Sequence, residues 1–520
     1  MTRNILTSLL RPEAYPTPVT RIRMIQTHVS CLFLTDTHVY KIKKPVDFGF
    51  LNFSTIDRRR FYCNEEVRLN RRLCPDIYEG VVEVRESAGG AAFFGDGAIL
   101  DYAVRMKRLP EDRMLDRLVD RGEVTTDIIS SVARKVAEFH AAAPTSPAVS
   151  AYGLPGRIMF NWQENFEQTV PYEGETLPAD LREQFKVWVE TFVSSQGDLL
   201  MSRVDQGFVR ECDGDIHLEN ICLDGDAIHI FDCIEFSDRF RCCDVAADIA
   251  FLLMDLEYHG RWDLSRAALD SYLAASGDNG VALLIDFYKV YRAFVRGKVE
   301  GFLLNDPALD QTAKNAARER AARYFRLAAG YVQSMQMSQT LFITCGLMGS
   351  GKSTFAAQLV FELGITVHRS DSVRKELAGI SAGTPVRVPF DEGLYSGDSH
   401  LATYGELLSR TERELRMGTS VVVDACFTLH SQRLPFAQLA RSLGIRFVII
   451  YLPCPETVLE SRLTVRTAEE EPVSDGRKEL LPLQARRFEP PSADEGLLVT
   501  LGPGRPDLQA GQLYRRLTSC

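Results

Sequence analysis

The stretch Gly346-Leu347-Met348-Gly349-Ser350-Gly351-Lys352-Ser353-Thr354 fits G-x-x-x-x-G-K-[ST] and follows the apolar run Leu341 to Cys345. An apolar strand, a glycine-rich turn and a helix in that order predict a phosphate-binding loop at the edge of a mostly parallel α/β/α sandwich. The glycines let the backbone turn tightly enough for its N–H groups to converge on phosphate oxygens, and Lys352 has the reach for the β- and γ-phosphates. Gly346, Gly349, Ser350, Gly351 and Thr354 complete the cradle, the Ser353 hydroxyl is a ligand for Mg²⁺, and Phe355 to Val360 continue as the helix facing the phosphates. ATP and Mg²⁺ are the cofactors this pattern implies.

Such a domain accounts for the C-terminal third of 520 residues, so the chain divides into more than one domain. A net charge of -10 with basic residues spread throughout disfavours nucleic acid as the main partner, although a local basic groove stays open. The twelve cysteines are scattered without C-x-x-C spacing, and Cys242-Cys243 reads as two buried thiols, which suits a reducing cytoplasm. Met1 to Pro16 holds one Leu-rich turn without a signal-like apolar core, and no run approaches the ~18 apolar residues of a membrane span. A soluble, cytoplasmic protein is expected.

Beyond the loop, Ile365 to His368 reads as a strand running into Arg369-Ser370-Asp371, with a helix from about Ser372. Asp371 then stands at the carboxyl end of a strand, where open α/β sheets bind ligands, and is the candidate base for an acceptor hydroxyl. Thr419 to Val423 is a second buried strand ending in Asp424, which would act on Mg²⁺ directly or through a bound water. Phe447 to Leu452 is a further strand and Pro455 to Thr464 a helix, whose Arg462 and the following Arg466 are candidates for a phosphate clamp.

In the N-terminal part, Val29 to Lys44 reads as a hairpin turning at Thr35-Asp36-Thr37. Alternation puts Val39, Lys41 and Lys43 on one face, and a helix from near Ser54 to Leu73 follows. A strand lysine followed by a helix glutamate is a kinase-like order, with Lys41 on the phosphates and Glu66 or Glu65 holding it. Val81 to Val84 and Ala91 to Met106 supply more strands, and Thr126 to Ala142 is a helix whose His140 reads as a core or capping residue. Ala141 to Gly156 reads as a loop. Asp215-Ile216-His217-Leu218-Glu219-Asn220 has the D-x-x-x-x-N spacing of a phosphotransferase catalytic loop, and the strand Ala227 to Phe231 ends in Asp232. Asp215 would take the proton of an acceptor hydroxyl, and Asn220 with Asp232 would hold the metal. Leu264 to Ala275, Val281 to Leu303 and Leu309 to Met335 read as helices without a motif, and the polar stretch Gln333 to Gln339 as the boundary.

VYKIKKPVDFGFLNFST, EVRLNRRL, YAVRMKRLP, GDIHLEN, FDCIEF and DVAADIAFLLMDLE carry a resemblance, from roughly Thr27 to Gly260, to the aminoglycoside phosphotransferase-like (choline kinase-like) family, especially its branch fused to a C-terminal P-loop kinase. The resemblance implies a two-lobed protein-kinase-like fold, ATP with Mg²⁺, and phosphorylation of a small-molecule hydroxyl. The chain departs from that family two residues before Asp215, where the usual His is Asp213. A second carboxylate there either repels Asp215 or joins it on the metal. Thr340 to about Pro490 is similar to small P-loop kinases of the polynucleotide kinase and gluconate kinase type. The expected organisation is α/β and α+β: residues 1–335 (small lobe about 1–108, helical lobe about 111–335), then a P-loop domain over 340–520. The alternatives are a regulatory NTP-binding protein with a weak kinase-like domain and a nucleic-acid end kinase.

Overall fold

The computed structural model describes residues 3–49, 51–307, 309–380, 397–467 and 481–518. The chain divides into two compact units, Met1–Phe325 and Arg326–Cys520. The dividing point lies inside the helix Gln311–Gln336. Its C-terminal turns belong with the second unit: a Cβ on Gly330 would stand 1.9 Å from the carbonyl oxygen of Glu362.

The first unit opens with a six-stranded antiparallel sheet in the order Arg23–Gln26, Ser30–Leu34, His38–Lys43, Ile99–Lys107, Tyr78–Ser87, Gly90–Ala92. Ser30–Leu34 and His38–Lys43 form the hairpin that the alternation predicts, with Leu32 opposite Lys41. One sheet face packs Phe33, Tyr40, Ile42 and Phe93 into a core. The helix Ile56–Asn70 lies along the sheet, started by the Thr55 hydroxyl, which accepts the Arg58 N–H. It buries Cys63 and Val67 together with Glu66.

The helical lobe is arranged around Val245–Tyr258, every residue of which is buried. A largely apolar helix buried on all sides takes the centre of a bundle, and Thr126–Ala142, Trp262–Ser276 and Val281–Phe302 pack around it. The expected loop from Ala141 to Gly156 is instead largely structured: a short helix at Pro147–Ser150, a 3-10 turn at Ala151–Gly153, and then the helix Pro155–Thr169. The prolines that suggest a break occupy first-turn positions, where the missing N–H has no intrahelical partner to lose. Ala179–Ser195 and Gly197–Asp205 are further helices, the first burying Phe185, Val189 and Val193 at helical spacing.

The second unit is a five-stranded, all-parallel sheet in the order Thr366–Arg369, Val421–Asp424, Thr340–Cys345, Arg446–Tyr451, Leu497–Thr500. All six residues of Thr340–Cys345 are buried, as befits a central strand covered on both faces. Separate apolar cores lie on the two sides, one around Phe355, Leu359 and Leu513, the other around Leu407, Phe427 and Phe436. Leu497–Thr500, which motif reading does not reveal, is the fifth strand. The order places the glycine-rich turn beside a strand reversal, where the crevice of such sheets lies. None of the described helices is long and apolar enough to cross a membrane.

Candidate functional site

In the first unit the two strand lysines converge on one glutamate. Lys41 Nζ lies 2.9 Å from Glu66 Oε1 and 2.6 Å from Asp232 Oδ1, and Lys43 Nζ lies 2.6 Å from Glu66 Oε2 with Glu235 as its second partner. Glu65 faces outward to Arg68 at 2.8 Å, so Glu66 is the helix partner of Lys41. Burial pushes the Glu66 carboxyl up, but the two ammonium groups outweigh it and hold it down to about 2. Burial works against the charge on Lys41 as well, and Asp232 and Glu66 overcome it and raise its pKa well above the ordinary lysine range. Lys43 and Glu235 are a second ion pair that the motif order does not announce.

Asp215 and Asn220 meet directly: Asn220 Nδ2 donates to Asp215 Oδ2 at 3.1 Å, and His217 Nε2 is 3.5 Å from the same oxygen. Burial raises the Asp215 pKa, but His217, with Arg296 and Arg292 behind it, brings it below the usual aspartate value. The hairpin Ile221–Asp224 and Ala227–Ile230 links Asn220 to Asp232. Asp232 itself has φ +65, a left-handed conformation rare outside glycine, which turns its carboxylate toward Lys41. Lys41, Asp215 and Asp232 line one cavity of about 350 Å³.

Asp213 does not face that cavity. It is 1 % exposed, and its Oδ1 accepts the Asp215 N–H at 3.1 Å. Burial, with the charge of Asp248 next to it, pushes the Asp213 carboxyl well above the aspartate range. In place of repelling Asp215 or joining it on a metal, Asp213 has a third role, a buttress beneath the loop. Asp248 accepts the Asp213 and Gly214 N–H groups at 3.0 and 2.9 Å, and is bonded in turn to His140 Nε2 at 3.1 Å. His140 Nδ1 reaches the Tyr272 hydroxyl at 2.8 Å. Asp255, on the same central helix, accepts the Leu218 N–H at 2.9 Å. Gly214 is required where it stands: its φ is +91 and a Cβ would press on Phe240 O at 3.0 Å. Asp248 and Asp255, two turns apart in a largely apolar helix, are the sequence signal for this support, since a buried acid needs donors.

In the second unit Gly349, Ser350, Gly351, Lys352, Ser353 and Thr354 line a cavity of about 590 Å³ together with Asp371, Asp424 and Arg462. Gly346, Gly349 and Gly351 have φ of +148, +81 and +99. At Gly346 a side chain is excluded, because a Cβ would lie 2.8 Å from Leu452 O and 3.0 Å from Ser350 Oγ. Lys352 Nζ donates to Leu347 O at 2.8 Å, and the Met348 N–H is taken by Gln484 Oε1 at 2.8 Å. Asp424 ends its strand and accepts the Thr344 hydroxyl at 3.3 Å; burial raises its pKa against the opposing pull of the Ser353 hydroxyl and Lys352. Asp371 stands in the first turn of the helix Ser370–Leu377, which begins earlier than the expected Ser372, and is paired with Arg374 at 2.7 Å. Arg462 Nη1 donates to Gly349 O at 3.2 Å, while the Arg466 side chain lies outside the described residues.

The donor set suits a nucleotide and its metal. Ser350 Oγ is buried with no hydrogen-bond partner among the described residues, within the glycine-rich loop. Ser353 and Asp424, and in the first unit Asn220 and Asp232, are the oxygen donors that a hard divalent cation takes.

Residues 341–491 match the family described as AAA domain. Among solved structures, a choline/ethanolamine kinase family protein from Mesorhizobium loti covers 62% of this chain and 96% of its own at 12% identity, with a TM-score of 0.38. A gluconokinase from Sinorhizobium meliloti covers 35% of this chain and 94% of its own at 20% identity, with a TM-score of 0.25. Two mycobacterial relatives are far more alike over their length: Uncharacterized protein Rv2004c of Mycobacterium tuberculosis and Uncharacterized protein Mb2027c of Mycobacterium bovis are each 30% identical over 443 residues, 85% of this chain and 85% of theirs. The chain belongs to the family of these two mycobacterial proteins.

Proposed function

We propose that the chain is an ATP-dependent phosphotransferase with two nucleotide sites, each moving the γ-phosphoryl group of ATP to the hydroxyl of a small molecule. The observation that carries the reading is that each unit turns a phosphate-reaching lysine and two carboxylates into one cavity: Lys41, Asp215 and Asp232 in the first, Lys352, Asp371 and Asp424 in the second.

In the first unit Asp215 takes the proton of the acceptor hydroxyl. Its lowered pKa keeps it ionised at neutral pH, and Asn220 and His217 fix its orientation. The acceptor oxygen forms the new bond to phosphorus, the bond from phosphorus to the β-phosphate oxygen breaks, and the hydroxyl proton ends on Asp215. Lys41 neutralises phosphate charge, and Glu66 keeps it extended from the strand. In the second unit Lys352 and Arg462 hold phosphate oxygens and Asp371 serves as the base. Mg²⁺, bound by Asn220 with Asp232 and by Ser353 with Asp424, would draw charge from the phosphate oxygens. Asp213 supports an active first unit over a regulatory one, because it bonds the Asp215 amide from beneath the loop and its raised pKa disfavours a second charge beside the base.

Calorimetric titration of the full chain with a non-hydrolysable ATP analogue tests the two-site reading. Two equivalents are expected, falling to one in Lys41→Met and to one in Lys352→Ala. A single equivalent in the unmodified chain refutes it.

A further inference from the structure

The cavity beside Asp215 extends well past the phosphate-binding groups, into a chamber walled by Trp162, Phe240, Phe287 and Tyr291. Its carboxylates are already committed: Glu164 is paired with Arg239 at 2.8 Å and Asp244 with Arg203 at 2.7 Å, while Asp232 and Glu235 belong to Lys41 and Lys43. Lys298 is different. It is 8 % exposed, and its ammonium group donates to Asn165 Oδ1 at 2.7 Å and Gln168 Oε1 at 2.8 Å, both neutral amides. Trp162, from the same helix as those amides and fully buried, has an indole N–H with no acceptor among the described residues. A buried cation without a counter-charge is unfavourable, and an anion bound beside Lys298 relieves it.

We infer that the acceptor of the first unit is an alcohol that also bears a carboxylate, its apolar body lying against the aromatic wall and its carboxylate bound by Lys298. This rests on the phosphotransferase reading of that unit and names its substrate class. Cationic amines, by contrast, meet an uncompensated ammonium group. Burial, helped by Arg239 and opposed by Glu164, lowers the Lys298 pKa to about 8, so its charge is sensitive to mildly alkaline pH. A bound carboxylate favours the charged form, and carboxylate binding therefore weakens as pH rises through that value.

The test uses the full chain with a saturating non-hydrolysable ATP analogue and three matched probes: 4-(hydroxymethyl)benzoate, 4-(hydroxymethyl)benzylamine and 4-methylbenzyl alcohol. Calorimetry at pH 7 is expected to rank the benzoate at least about tenfold tighter than the neutral alcohol, the amine weakest, and Lys298→Met is expected to erase the ranking. Without any substitution, benzoate affinity is expected to fall about tenfold between pH 7 and 9 while that of the neutral alcohol stays level. Equal or tighter binding of the amine or neutral alcohol overturns the inference, as does failure of the benzoate to bind or its displacement by the nucleotide analogue. With ATP itself, Lys298-dependent benzoate binding that yields no phosphorylated product sinks the phosphotransferase reading and leaves the anion site standing. Product formed with no preference for the carboxylate does the reverse.

Discussion

Glu362 is a carboxylate of the second unit whose state bears on folding near neutral pH. It is 3 % exposed on the helix that starts at the phosphate-binding loop, and it accepts the Tyr514 hydroxyl at 2.5 Å and the Gln358 amide at 2.7 Å. Burial outweighs both hydrogen bonds and raises its pKa from 4.5 to about 7. The folded state thus holds a proton that the unfolded state releases, and the contribution to stability is complete below about pH 4.5 and lost as pH rises through 7. At about 1.4 kcal/mol per pK unit the loss is about 3 kcal/mol. For a unit of this size that corresponds to a Tm lower by roughly 6–12 °C. All three tryptophans, Trp162, Trp188 and Trp262, lie in the first unit, so tryptophan fluorescence follows that unit and calorimetry supplies the other transition. Scanning calorimetry from pH 5 to 8.5 is expected to show the fluorescence-silent transition falling with pH, and Glu362→Gln to flatten that fall while leaving the fluorescence transition unmoved. Equal pH slopes in Glu362→Gln and the unmodified chain would mean that Glu362 is ionised when folded and would refute the reasoning.

Two further outcomes bear on the sites. Asp371→Asn is expected to leave nucleotide affinity of the second unit nearly unchanged while transfer falls by about 10²- to 10⁴-fold, as for loss of a general base; loss of nucleotide binding in that variant reassigns Asp371 to the metal. Asp213→Asn, which keeps an acceptor for the Asp215 N–H without a charge, is expected to hold first-unit transfer within about threefold, whereas Asp213→Ala strips that amide of its partner and destabilises by about 1–3 kcal/mol, read by the fluorescence melt. A large loss of transfer in a fully folded Asp213→Asn chain would show that an ionised Asp213 is needed.

Where sequence and structure agree, local rules suffice. The glycines at 346, 349 and 351 are needed by a turn whose φ values no other residue takes readily, so the loop declares itself. Lys41 and Lys43 share a face because a strand alternates, and their common partner lies in the next helix, although only packing decides between Glu65 and Glu66. Asp213 shows the limit of spacing: its position in the loop is plain, but its protonation depends on Asp248, a residue of the central helix that contacts it only in the folded state. The stretch Ala141 to Gly156 reads as a loop because its prolines suggest breaks, whereas Pro147 and Pro155 each open a helix.

The same distinction separates the two halves of the candidate first-unit site. Groups that handle phosphate must stand in a fixed order along the chain, because a strand, a helix and a loop each present one of them, and that order can be read in one dimension. The chamber that would select an acceptor has no such order: Lys298 comes from Val281–Phe302, and Trp162, Asn165 and Gln168 come from Pro155–Thr169, more than a hundred residues earlier. Lys298 looks in sequence like any lysine of a solvated helix face. It becomes informative only when the two helices meet and leave its ammonium group buried against neutral amides, a state whose charge balance an anion completes.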